Sequence, residues 1–269
     1  MYKIIKKFIQ HGVVTVDYPK KPISNPNIIG RPKIDDVKCA DCGECIKRCP
    51  TSAINKSVSK NGNGDRTSIH VNIDECIFCS LCSDVCTQKA ITMTNEFELA
   101  AKQRKELRSE LQETEDVFLP ADEDYEVIGK RLKDSIYKHF GRSLHIREVD
   151  AGSCNGCDNE INALNGPLND IERFGISFVA SPRHADMLLV TGPVSRNMET
   201  ALIKTYNAAA DPKLVVAVGA CACSGGIFKD IYATRNGIDS IIPVDAYIPG
   251  CPPRPHALIY GILKAIERI

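Results

Sequence analysis

The chain has no tryptophan, only 6% aromatic residues and no net charge, its 34 Lys+Arg being matched by 34 Asp+Glu over 269 residues. Balanced charge leaves no global field to steer it onto nucleic acid, so no nucleic-acid partner is expected. No stretch approaches the roughly 18 apolar residues of a membrane span, so membrane association must be peripheral or run through partner subunits. The opening MYKIIKKFIQ lacks the apolar stretch and small-residue cleavage site of an export signal. Hydrophobic residues at 43% still suffice for a core, which excludes wholesale disorder. What is abundant is cysteine. Thirteen of them without an export signal point to a reducing compartment, where thiols bind metal rather than form disulfides.

Eight cysteines lie between Cys39 and Cys86, none in the next 67 residues, and five between Cys154 and Cys251. The gap marks a boundary. Leu99, Gln103, Leu107 and Leu111 at four-residue spacing predict an exposed helix over 98–111, and Ile128, Leu132, Ile136 and Phe140 a second helical stripe. The predicted domains are therefore 1–94, a partly helical connector at 95–140, and 141–269. Residues 1–60 hold 12 Lys/Arg against 5 Asp/Glu, while 95–135 hold 7 against 12. Such runs are solvated faces, or the basic surplus offsets buried negative charge. Within it, Ile4, Ile5, Phe8 and Ile9 beside Lys3, Lys6 and Lys7 suggest a short amphipathic docking helix over 3–10.

Cys39, Cys42, Cys45 and Cys49, then Pro50, follow the spacing C-x2-C-x2-C-x3-C-P; Cys76, Cys79, Cys82 and Cys86 repeat it 37 residues later without the proline. This is the bacterial ferredoxin run. Three thiolates at i, i+3 and i+6 wrap three corners of an iron–sulfur cube, and the fourth cysteine reaches the other cube. Cys39, Cys42, Cys45 and Cys86 are thus predicted to hold one [4Fe–4S] cluster, and Cys76, Cys79, Cys82 and Cys49 a second. Structural zinc, the rival, uses four ligands per ion in two C-x2-C pairs, which gives no account of two runs of four. Thr87 in place of a second proline would loosen the turn there. Residues 53–59 and 68–73 read as a hairpin between the two runs.

From Ser143 the texture becomes α/β. Short apolar runs at 144–149, 176–180, 187–191, 214–218 and 241–247 read as buried parallel strands, and 159–164, 198–209 and 254–268 as helices. Ligands of such sheets bind outside the strands' carboxyl ends. Cys154, Cys157, Cys221 and Cys251 fall there, four thiols distant in sequence that three loops could bring together. Cys223 is an alternative to Cys221 or a buried core thiol. The glycines from Gly219 to Gly226 lack the Gly-Lys-Ser/Thr ending of a phosphate loop and instead allow backbone to approach a bulky inorganic group.

Residues 143–269, with Cys154-Asn-Gly-Cys157 through Glu160, the run from Ser181 to Asp186, Gly219-Ala-Cys221, and Gly250-Cys251-Pro-Pro253, closely resemble the small subunit of membrane-bound [NiFe] hydrogenases. These are of the formate hydrogenlyase and energy-converting type, related to the cluster-bearing B-type component of complex I. Residues 1–112 resemble the two-cluster ferredoxin-like subunit of the same complexes, so the chain looks like a fusion of two neighbouring subunits. The resemblance implies a bacterial-type 2[4Fe–4S] ferredoxin domain followed by a flavodoxin-like parallel α/β domain. It assigns Cys154, Cys157, Cys221 and Cys251 to a proximal [4Fe–4S] cluster, three clusters in all, and leaves Cys223 spare. Glu160, Arg183 and His184 match family positions, as groups around the cluster, at the large-subunit interface, or in structural ion pairs. The implied function is electron transfer within a hydrogenase, an oxidoreductase, with no catalytic centre in this chain. The implied partners are a NiFe large subunit, membrane-anchoring subunits, and a donor such as formate dehydrogenase, CO dehydrogenase or ferredoxin. The implied place is peripheral, on the cytoplasmic face of the membrane. The complex I proteins carry adjacent cysteines where Gly156 precedes Cys157 here, so the complex I-like reading is the alternative.

Overall fold

Two strands of continuous apolar sequence, Met-Leu-Leu-Val-Thr and Leu-Val-Val-Ala-Val, are buried at every position in a computed structural model of the chain. Strands of that kind need cover on both faces, and the fold supplies it. The structure describes residues 28–61, 64–108 and 141–266, together with 6–7, 10, 12, 14–16, 18, 23 and 137. The helical stripe expected at 128–140 lies outside them, apart from helical Tyr137. Of the predicted docking helix, only Lys6, Lys7 and Gln10 are described, helical and exposed.

The C-terminal part is a five-stranded parallel sheet in the order β6-β5-β7-β8-β9, the doubly wound flavodoxin-like arrangement. Its strands are β5 (Leu144–Asp150), β6 (Ile176–Phe178), β7 (Met187–Thr191), β8 (Leu214–Val218) and β9 (Ala246–Ile248). Alternate residues face opposite layers. Leu188, Val190, Val215 and Ala217 join one apolar cluster with Leu202 of the helix Arg196–Ala208, here α4. Met187, Leu189, Val216 and Val218 join the other with Leu258, Ile259 and Ile262 of α6 (Pro255–Ile266). Each of the larger side chains among these, the valines, leucines, isoleucines and methionine, contributes about 1.5–3 kcal/mol relative to exposure. The last strand is shorter than the predicted 241–247. The N–H groups of Ile241 and Ile242 turn back to the Ile238 carbonyl at 2.9 and 3.0 Å, and Pro243 has no N–H to offer a ladder.

The N-terminal module pairs β1 (Pro32–Ile34) with β4 (Ile91–Met93) and β2 (Ile54–Asn61) with β3 (Gly64–Val71), both antiparallel. The hairpin expected between the cysteine runs is thus present and longer than predicted. Short helices α1 (Glu44–Arg48) and α2 (Leu81–Asp84) follow the cysteine loops. Ala53, Ile54, Ile69, Val71 and Ile91 belong to the same apolar cluster as the α4 face of the sheet. The two modules share one core.

The exposed helix expected over 98–111 does not form in the described part. Ala101 instead bridges the edge of β9, its N–H donating to the Tyr247 carbonyl at 3.0 Å and its carbonyl accepting from Tyr247 at 2.8 Å. A single 3-10 turn, Arg104–Leu107, follows, with Leu107 buried. An open strand edge offers backbone partners that outcompete a lone helix. Two described residues nearer the start reach distant segments: Val16 N–H donates to the Leu168 carbonyl at 2.8 Å, and the Tyr18 hydroxyl to Glu98 at 2.7 Å.

Candidate metal centres

The two cysteine loops are conformational copies. Asp41 and Gly43 flank Cys42 with φ of 54° and 70°, and Phe78 and Ser80 flank Cys79 with φ of 56° and 65°. Left-handed residues on both sides of the middle cysteine bend each loop so that its three thiols face one side. The turn after the fourth cysteine repeats as well, with Ser52 at φ 54° and Lys89 at 51°. Ala53 N–H donates to Cys49 Sγ at 3.3 Å, and Ala90 N–H to Cys86 Sγ at 3.2 Å. Thr87 therefore does not loosen its turn: the N–H···S contact and the left-handed residue hold it without the proline.

Each set of four encloses space. One cavity is lined by Cys39, Cys42, Cys45 and Cys86. Another is lined by Cys76, Cys79, Cys82 and Cys49. Both bring the fourth cysteine across from the other run. Burial first, and then the neighbouring thiols of the same set, push the Cys76 thiol up to about 12 and Cys82 to about 11. Cys45 is raised for the same two reasons. Such thiols stay protonated at neutral pH unless a metal displaces the proton.

Topology assembles the third group. Cys154 follows β5, Cys157 sits in the first turn of α3 (Gly156–Asn162), Cys221 lies in α5 (Gly219–Ser224) after β8, and Cys251 follows β9. Burial raises the Cys157 thiol strongly, helped by the Cys221, Cys251 and Cys154 thiols and the Asp158 charge. Cys221 is pushed up to about 11 by burial and then by Cys251 and Cys154. Gly219 has φ +87°, and a Cβ there would lie 2.6 Å from Cys157 Sγ. At Gly226, φ +53°, a Cβ would lie 3.1 Å from Cys221 Sγ. Both glycines keep space open around the thiols. Cys223 is fully buried instead, its Sγ 3.9 Å from the Ala217 carbonyl and 3.8 Å from that of Ile248. Cys251 is raised by burial, then by Cys154, and then by Cys79 of the N-terminal module. A hydrogen bond from the Ser224 hydroxyl to the Asp74 carbonyl at 2.8 Å joins the segments carrying the second and third groups across the module boundary.

The other predicted residues stand differently. Glu160 faces Arg254 at 3.6 Å. Arg183 and His184 are exposed in the 3-10 turn Pro182–His184, the His184 carbonyl 3.2 Å from His145 Nδ1. Lys38, Lys47 and Lys56 pair with Asp35, Glu44 and Asp41. Lys47 is also raised by the Cys42 thiol, the direction that offset of negative charge takes. Sequence reasoning missed a carboxyl pair at the third group. Glu148 of β5 is pushed up to about 7 by burial and by the Asp158 carboxylate bonded to it. Burial works to raise Asp158, but hydrogen bonds from Glu148, Ser153 and Thr191 outweigh it and hold it low. Only the position of Asp158 beside Cys157 could have signalled the pair.

The family model for the NADH ubiquinone oxidoreductase 20 Kd subunit matches residues 154–265, and that for a 4Fe-4S dicluster domain residues 31–87. Formate hydrogenlyase subunit 7 of Escherichia coli is 51% identical over 135 residues, covering 50% of this chain and 53% of that protein. A probable membrane-bound hydrogenase subunit of Pyrococcus furiosus is 48% identical over 143 residues, covering 52% and 86%. The B-type component of NADH-quinone oxidoreductase from Geobacter metallireducens is 50% identical over 113 residues, covering 42% and 66%. The chain spans about half the length of the Escherichia coli relative and most of the Pyrococcus one.

Proposed function

The chain belongs to the family of the NADH ubiquinone oxidoreductase 20 Kd subunit and its membrane-bound hydrogenase relatives, joined to a 4Fe-4S dicluster domain, and on that premise we propose that it is the iron–sulfur electron-transfer subunit of a membrane-associated hydrogenase. In this reading it comprises a dicluster domain (1–94), a connector (95–140) and a proximal-cluster domain (141–269). Three [4Fe–4S] clusters would be held by Cys39, Cys42, Cys45 and Cys86; by Cys76, Cys79, Cys82 and Cys49; and by Cys154, Cys157, Cys221 and Cys251. Bound there, they supply one-electron carriers whose potentials follow hydrogen bonding to sulfur and burial. The chain's own contribution is to donate N–H groups to thiolate sulfur, exclude water, and fix the groups in a row.

The observation that carries this is the hydrogen bond from the Ser224 hydroxyl, three residues after Cys221, to the Asp74 carbonyl, two residues before Cys76, at 2.8 Å, which supports the order first group, second group, third group. The first group faces an electron donor such as ferredoxin, formate dehydrogenase or CO dehydrogenase, and the third a NiFe large subunit. Glu160, Arg183 and His184 belong to the surroundings of the third group or the large-subunit face. Among the described residues no helix is long and apolar enough to cross a membrane. Attachment at the cytoplasmic face is therefore proposed through membrane-anchoring subunits.

Anaerobically purified protein should be brown and carry about 12 iron and 12 acid-labile sulfide atoms per chain. Zinc in a colourless preparation would overturn the reading in favour of a structural zinc protein. A complex I-like quinone or ferredoxin oxidoreductase is the second reading, favoured by the NADH-quinone oxidoreductase relative; nickel in the intact complex decides for hydrogenase and its absence for complex I.

A further inference from the structure

Asp74 is wholly buried, lies two residues before Cys76, and touches the C-terminal module through its side chain's partners and its main chain. Its Oδ2 accepts from Arg104 Nε at 2.7 Å and from Arg108 Nε and Nη2 at 3.3 and 3.2 Å. Arg104 continues to Asp239 at 3.1 Å. The Asp74 carbonyl accepts from the Ser224 hydroxyl at 2.8 Å, and Ser224 stands three residues after Cys221. Next to Asp74, Glu75 accepts from Lys229 Nζ at 2.8 Å. The turn is closed locally, with Glu75 and Cys76 N–H donating to the Asn72 carbonyl at 3.2 and 3.1 Å.

We infer that Asp74 is a positioning residue, a clamp that locks the loop carrying Cys76 and Cys79 onto the loop carrying Cys221 and so sets the electronic coupling between the second and third metal groups. This deepens the proposed function and rests on it. A carboxylate with no exposure is costly unless paired, and here two guanidinium groups from the 3-10 turn segment hold it. Its main chain then ties the facing loop within three residues of a metal-binding thiol. Because Asp74 sits in the same short loop as Cys76, and Ser224 in the same short helix as Cys221, a shift of the clamp moves thiols on both sides at once. Coupling between redox groups depends steeply on their separation, so a tie at the step between modules fixes the separation on which that step depends.

The test uses the full chain, purified anaerobically, as wild type, Asp74→Asn, and the double variant Ser224→Ala/Lys229→Met. Electron paramagnetic resonance of the reduced protein reads spin–spin splitting between clusters, and amide hydrogen exchange reads the loops at 72–82 and 219–226. Asp74→Asn is expected to keep the wild-type iron content, lose the splitting between the second and third groups, and speed exchange in both loops together by about a hundredfold, the size a broken buried ion pair implies. The double variant is expected to narrow the splitting partly. Wild-type splitting and exchange in both variants would overturn the clamp. Should Asp74→Asn lose its iron, the double variant decides in the same way. If the wild type carries fewer than three clusters the functional reading falls, while joint or independent loosening of the two loops still decides the clamp.

Discussion

The N-terminal and C-terminal cysteine groups solve one problem by opposite means. In the dicluster module three of four thiols come from seven consecutive residues, and the shape is local: left-handed residues on each side of Cys42 and of Cys79. In the C-terminal module no loop supplies more than two, and parallel strands gather the four. The local group depends on a few φ angles, the assembled one on the whole sheet. The modules nevertheless share an apolar cluster, so the contrast is one of how a site is specified, not of separate bodies.

The largest expected effect breaks one group at a time. Cys157→Ser should lose about four of roughly 12 iron atoms while the dicluster signals persist, and Cys49→Ser should lose the second group and leave the third. Iron analysis with electron paramagnetic resonance checks both; loss of all iron in either variant would show that the groups load only together. Gly219→Ala comes next. A left-handed φ of +87° with a Cβ 2.6 Å from Cys157 Sγ should cost on the order of 1–3 kcal/mol in strain and lower iron at the third group. Full occupancy would mean that backbone there can retreat. Cys223→Ser should lower stability by about 1–3 kcal/mol, the cost of an imperfectly bonded buried hydroxyl, with the iron count unchanged. An iron loss would make Cys223 a ligand.

The carboxyl pair distinguishes the modules by pH. Glu148, pushed up to about 7, holds a proton that an unfolded glutamate releases near 4.3. Its contribution to stability is therefore complete below the ordinary glutamate range and is lost as pH rises through about 7. Thermal unfolding of the wild type should shift downward between about pH 5 and 8, and Glu148→Gln should flatten that part of the profile. An unchanged slope would assign it to other groups.

These sites were unequally legible. The dicluster run could be read from spacing because its geometry is local, as the matched dicluster family and the repeated left-handed residues show. Strands β7 and β8 were legible because a strand buried on both faces has no polar alternation to disguise it. The segment after Phe97 was not. Leu99, Gln103 and Leu107 carry helical spacing, but the bonds of Ala101 to Tyr247 depend on a strand edge 146 residues away. For the same reason no sequence pattern singles out Asp74: Arg104, Arg108 and Ser224, which define it, are distant in sequence. Composition shows what a residue can bond, and only topology shows what reaches it.

The smallest effect sharpens the comparison within the dicluster module itself. Pro50 and Thr87 occupy the same step after the fourth cysteine, and the turns that follow match in φ and in N–H···S distance. If the conformations are equivalent, proline at the second turn removes freedom only from the unfolded chain. Thr87→Pro should then raise stability by about 0.4–1 kcal/mol and leave the iron content and the first group's spectrum unchanged, as denaturant unfolding and electron paramagnetic resonance would read. Destabilisation instead would mean that the exposed Thr87 position needs a backbone angle or an N–H that proline cannot supply, and that the two loops are copies in shape but not in constraint.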